Sequence, residues 1–130
     1  MVSNDSPGLT LDTGALIALE RRGARALRIL TAAKERGMLV TIPAAVVVEW
    51  WRGASARSVD VARTGIVEPL RFTLAQAAGE ALGKVKRGPS PVDAIVMASA
   101  ATRGDTVLTS DCHDLELLRV VFPSVRVLRV

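Results

Sequence analysis

One stretch constrains this chain more than any other: Gly8-Leu9-Thr10-Leu11-Asp12-Thr13-Gly14-Ala15-Leu16-Ile17-Ala18-Leu19. A short apolar, β-prone run ends on a carboxylate and a hydroxyl, and an Ala/Leu-rich run follows at once. That pattern predicts a strand, a tight turn and a helix. It puts Asp12 at the carboxyl end of a strand, the edge of an open α/β sheet where loops and helix N-termini converge on ligands. Taken alone, Asp12 or Thr13 capping the following helix is the plainer reading, since both residue types cap well.

The same alternation recurs along the chain. Ala24 to Arg36 predicts a second helix, with Leu27, Leu30 and Ala33 facing inward, Arg25, Arg28 and Lys34 outward, and Gly37 as a C-cap. Met38 to Ile42 is a continuous apolar run of the kind found in parallel strands covered on both faces. Pro43 then starts a helix that stops at Gly53. Ser55 to Thr64 is a short helix, Gly65 to Leu70 an edge strand interrupted by Pro69, and Thr73 to Lys86 a long helix capped by Thr73. Ser90, Pro91 and Asp93 stand at the N-cap, N1 and N3 positions of the next helix, a capping box with Asp in the usual place of Glu or Gln. Asp105 to Thr109 and Val125 to Leu128 are the last strands, with a helix after Asp111 between them. The predicted order is β-α-α-β-α-α-β-α-α-β-α-β, with right-handed crossovers if the strands are parallel.

A chain of 130 residues suits one domain with a single core. Residues 1–7 read as a flexible polar tail and residues 8–130 as that domain. No apolar run approaches the roughly 20 residues needed to span a bilayer, and the first residues lack the basic and apolar regions of a signal peptide. The expected location is the cytoplasm. One cysteine, Cys112, excludes an internal disulfide, and one histidine, His113, excludes His-rich zinc sites. Any bound metal must be held by carboxylates, which select hard cations such as Mg²⁺ or Mn²⁺.

The carboxylates divide by how easily capping explains them. Asp12, Asp93 and Asp111 each sit where a helix begins. Glu49, the one acid in the run Ala44 to Trp51, lies too deep in its helix to be a cap. Its alternatives are a solvent-facing turn or a pair with Arg52. If these acids meet at one sheet edge, they repel one another unless a cation sits among them. Such a cation serves as Lewis acid for a phosphate oxygen and lowers the pKa of bound water, and hydrolysis of a phosphodiester is its natural use. Thr13, Thr109 and Ser110 are placed to orient ligands or water, or to make ordinary turn hydrogen bonds. The chain has 17 lysines and arginines against 13 acids. A basic body around an acidic pocket suits a polyanionic substrate. Lys84, Lys86 and Arg87 either favour a helix dipole or touch phosphate.

Four pieces in order, Leu11-Asp12-Thr13, Glu49, Pro91-Val92-Asp93 and Thr109-Ser110-Asp111-Cys112-His113-Asp114-Leu115, resemble those of PIN-domain ribonucleases. The chain is most similar to the small toxins of VapBC toxin–antitoxin pairs. The resemblance covers essentially the whole chain and implies a Rossmann-like α/β fold, a five-stranded parallel sheet of order 3-2-1-4-5 flanked by helices. It implies Mg²⁺ or Mn²⁺ at catalytic Asp12, Glu49, Asp93 and Asp111, with Thr13, Ser110 and Asp114 as auxiliary groups. It further implies cleavage of structured RNA such as tRNA or rRNA, a homodimer, and a VapB-like antitoxin whose C-terminal segment enters the acidic groove. Gly14 departs from the pattern, since relatives often carry another hydroxyl or amide residue there.

Three other readings fit parts of the sequence. A housekeeping RNA-processing nuclease would carry the same residues. In a non-catalytic RNA- or partner-binding module the acids would be caps and the basic surface the working part. Leu11-Asp12-Thr13-Gly14-Ala15 also matches retroviral-type aspartic proteases, but that fold is almost entirely β and needs a flap hairpin, for which no segment here is suited. The Trp50-Trp51 pair reads as core or interface before it reads as a platform for stacking bases.

Overall fold

The computed structural model describes residues 7–53 and 55–130. Residues 1–6 of the expected tail lie outside the described residues. The element order is the predicted one: β1 (Leu9–Leu11), α1 (Thr13–Glu20), α2 (Ala24–Glu35), β2 (Val40–Pro43), α3 (Ala44–Trp50), α4 (Ala56–Ala62), β3 (Ile66–Glu68), α5 (Phe72–Lys84), α6 (Pro91–Arg103), β4 (Thr106–Thr109), α7 (His113–Leu118) and β5 (Arg126–Arg129). The strands form one sheet of order β3-β2-β1-β4-β5. Every neighbouring pair is parallel, in registers such as Leu9 opposite Val40 and Thr106. This α/β architecture overturns the protease alternative.

Central β1 and β4 are apolar because both faces of the sheet are covered. Leu11, Ile42, Val107 and Leu108 are completely buried, as are Leu16 on α1 and Met97 on α6. Small residues bring α6 close to the sheet: Ala94, Ala98 and Ala100 are all buried along it. The N-termini of α1, α3, α6 and α7 all open at the carboxyl edge, because each parallel strand must be left through a turn there.

A polar network under α6, unforeseen in the sequence, ties β1, β3 and β4 together. Arg103 donates to Asp105 at 2.9 Å, Glu68 at 2.5 Å, Ser99 at 2.9 Å and Thr10 at 3.1 Å. Asp105, only 2% exposed, also accepts the Gly8 amide and the Thr10 hydroxyl. Each buried oxygen is thereby matched to a donor, which burial of a charge requires.

Three local expectations shift. α5 begins at Phe72, with Arg71 at the N-cap and no side-chain cap bond, so Thr73 does not cap it. β4 begins at Thr106, because Asp105 is drawn into the Arg103 network. The N-cap of α7 is Cys112, so Asp111 belongs to the preceding turn.

Candidate metal centre

Asp12 leaves β1 in extended conformation as the N-cap of α1, and its carboxylate accepts the Ala15 amide at 3.0 Å. The capping reading therefore holds, and it places the carboxylate. Burial pushes the Asp12 carboxyl up to about 6 from an ordinary 3.8; hydrogen bonds from Thr109, Ala15 and Gly14 pull it down, and the charge of Asp93 adds to the rise. A plain cap on a solvated helix end would not carry that penalty.

Asp93 is also bifunctional. It completes the capping box of α6, accepting the Ser90 amide at 2.9 Å while its own amide donates to Ser90 Oγ at 3.1 Å. Its carboxyl too is raised, first by burial and then by the charges of Asp114 and Glu49, against the opposing hydrogen bonds of Ser90. Asp12, Asp93, Asp114 and Glu49 thus act on one another electrostatically across four elements.

Glu49 is exposed, contrary to a buried acid in an apolar run, and it does not pair with Arg52. Its Oε1 accepts the Thr13 hydroxyl at 2.6 Å, which joins α3 to α1 beside Asp12. Asp111 lies in the turn after β4. The Thr109 hydroxyl donates to the Asp111 carbonyl and accepts its amide, each at 3.0 Å, while Asp111 Oδ1 accepts the His113 amide at 3.2 Å. The Trp pair divides: Trp50 is buried with its indole N–H on Glu20, and Trp51 is 41% exposed, edge-on to it.

Each carboxylate is satisfied locally by a hydroxyl or amide, and among the described residues no three His, Cys, Asp or Glu side chains are drawn together closely enough to hold a metal ion. The donor chemistry nonetheless fits a hard divalent cation: two carboxyls whose ionisation is opposed by burial and by neighbouring acids gain most from a positive charge. Asp12, Glu49, Asp93 and Asp111 are the residues that would hold it, with Asp114 at the rim. A cavity of about 260 Å³ at the β3–α5 corner, lined by Glu68, Arg71 and Thr102 among others, includes none of these acids.

One supporting position is not legible in the sequence. Gly88, with φ +105°, backs onto α7 so closely that a Cβ there would lie 3.1 Å from Asp114 Oδ1 and 3.0 Å from Leu117 Cδ1. The pair Gly88-Pro89 signals a turn, but nothing in the chain marks its neighbour across the fold.

Against the sequences of curated proteins the chain has no significant match. Its fold is similar to that of Mycobacterium tuberculosis VapC20, described as a sarcin-ricin-loop-cleaving toxin, with TM-score 0.67 and 22% identity over 82% of this chain and 92% of that one. DNA-bound VapBC from Salmonella typhimurium matches with TM-score 0.70 and 17% identity over 95% and 98%. FitAcB from Neisseria gonorrhoeae matches with TM-score 0.64 and 15% identity over 93% and 96%. At these identities the likeness is one of fold. The model of the PIN domain, however, matches residues 9–116, from the first strand through the last acidic helix, and the chain belongs to the PIN-domain family.

Proposed function

We propose that this chain is a Mg²⁺- or Mn²⁺-dependent endoribonuclease, the toxin of a type II toxin–antitoxin pair, hydrolysing phosphodiester bonds in structured RNA such as tRNA or rRNA. The observation that carries the proposal is the Asp12 carboxyl, held by burial at about 6 at the edge where Asp93, Glu49 and Asp114 gather. Membership of the PIN family and the fold-level likeness to VapC toxins support it.

A divalent cation held there would supply Lewis-acid activation of the scissile phosphate and of the attacking water. The chain's own residues supply its place. Asp12 and Asp93 are fixed by the caps they make, so their carboxylates cannot swing away from the site. Thr13 orients Glu49, and Thr109 sets the turn that carries Asp111. Basic residues flanking the acids, including Lys86 and Arg87, attract the RNA backbone. The same electrostatics suit an antitoxin of VapB type that blocks the groove with its C-terminal segment, and the active form is a homodimer working in the cytoplasm.

The test is incubation of total RNA with purified, inhibitor-free protein in Mg²⁺ or Mn²⁺ against EDTA, with Asp12→Asn as control. Discrete metal-dependent fragments absent from the variant are expected. Intact RNA in every lane, from protein shown to be folded, would reject the nuclease.

A further inference from the structure

Gly14 and Ser110 compete for one volume. Gly14 is the second residue of α1, and Ser110 directly follows β4. A Cβ built on Gly14 would overlap Ser110 Oγ and fall 2.8 Å from the Ser110 amide nitrogen. Gly14 is absent from the positions with positive φ, so space and not backbone conformation demands glycine. The serine hydroxyl therefore stands over the bare α-carbon in the first turn of α1.

Its surroundings are those of the acid cluster. Asp12 precedes Gly14 by two residues, Asp111 follows Ser110, and Thr109 reaches both: its side chain hydrogen-bonds Asp12, and its hydroxyl brackets the Asp111 backbone. Ser110 is exposed, and among the described residues its hydroxyl makes no hydrogen bond within the protein. A hydroxyl can donate once and accept twice. Here it is confined by the helix beneath it, directed by a turn that Thr109 pins, and left uncommitted at the edge where a cation and its waters would sit. The positive end of α1 also favours an oxygen in that position.

We propose that Ser110 is a positioning residue of the site, its hydroxyl orienting a water of the cation's hydration shell, and that residue 14 is glycine to admit it. The inference rests on the metal-dependent nuclease reading. It makes Gly14 and Ser110 a coupled pair, with the orienting hydroxyl carried by the β4–α7 turn instead of by α1.

Ser110→Ala keeps the Cβ and removes only the hydroxyl. The metal-free melting temperature of this variant should equal that of the parent. The Mn²⁺ concentration that half-saturates the thermal shift should rise, and kcat for RNA cleavage fall, by roughly tenfold, the usual scale for a group that orients a ligand, with KM unchanged. Gly14→Ser alone should lower the metal-free melting temperature through the clash. The exchange Gly14→Ser with Ser110→Gly should recover Mn²⁺ binding and cleavage together. A Ser110→Ala protein that binds Mn²⁺ and cleaves as the parent does would overturn the proposal while leaving the nuclease intact. A parent protein with neither Mn²⁺ shift nor cleavage would overturn both.

Discussion

Asp12→Asn should stabilise the metal-free protein at neutral pH while abolishing its activity. The reasoning starts from the carboxyl lifted by burial from 3.8 to about 6. An acid whose pKa is raised in the folded state binds its proton more tightly there, so its stabilising contribution is present below about pH 4. That contribution is lost as pH rises to about 6, and above that the ionised group weighs against the fold at a constant level. Each unit corresponds to about 1.4 kcal/mol, and the solvent contact Asp12 retains trims the total to about 2–3 kcal/mol. Asn caps a helix as well as Asp, so the bond from the Ala15 amide survives the change. For a chain of this size that energy corresponds to an increase of roughly 6–12 °C in melting temperature. Thermal melts of both proteins in EDTA from pH 4 to 8 would show curves that coincide near pH 4, diverge through pH 6 and run parallel above it. Addition of Mn²⁺ should raise the parent and leave the variant where it was. A variant melting at or below the parent at pH 7.5 in EDTA would refute the claim that burial opposes this charge.

Four further outcomes follow from individual side chains. Thr13→Val keeps the shape of the side chain but frees Glu49, whose Oε1 it holds at 2.6 Å; cleavage should fall roughly 10- to 100-fold with the melting temperature little changed, measured by single-turnover kinetics and thermal melts. Ser90→Ala opens the capping box of α6 and should cost about 1 kcal/mol in urea unfolding; because Asp93 is then no longer anchored, Mn²⁺ affinity should weaken in parallel. Arg103→Met leaves Asp105 buried and uncompensated, and unfolding free energy should drop by about 3–5 kcal/mol, while the folded fraction keeps the parent's Mn²⁺ midpoint because the network is separate from the metal centre. Replacing Lys86 and Arg87 with Ala should flatten the dependence of log RNA affinity on log salt by about 0.9 for each phosphate these side chains neutralise, measured with the inactive Asp12→Asn background; an unchanged slope would move the RNA track elsewhere.

Much of the molecule can be read from local chemistry. The order of strands and helices follows from apolar periodicity and punctuation by Gly and Pro, and each of the twelve elements is where that pattern puts it, to within a few residues. The parallel sheet follows in turn, since strands separated by helices must be left and re-entered from the same ends. Asp12 and Asp93 are visible for the same reason, as acids at the starts of helices, and both do cap. Thr73 misleads because residue type alone cannot tell which of several turn positions a helix will use, and α5 starts a residue earlier without any side-chain cap.

Which groups face one another is a different matter. Glu49 reads in sequence as an unpaired acid in an apolar run, yet it is exposed and bound to a hydroxyl 36 positions away. Arg103, Asp105 and Glu68 look like scattered surface charges in one dimension, yet they converge under α6 because the register of three strands brings them there. Gly14 looks like a departure from a motif until Ser110, 96 residues on, is seen to fill its space. Periodicity and capping are properties of neighbours along the chain, set by dihedral preferences and the burial of one face, so the elements, their order and the acids at their ends follow from the residues in line. Electrostatic coupling, steric exclusion and the pKa of Asp12 depend on distances between segments that meet only after the sheet closes, and they exist only in the folded molecule.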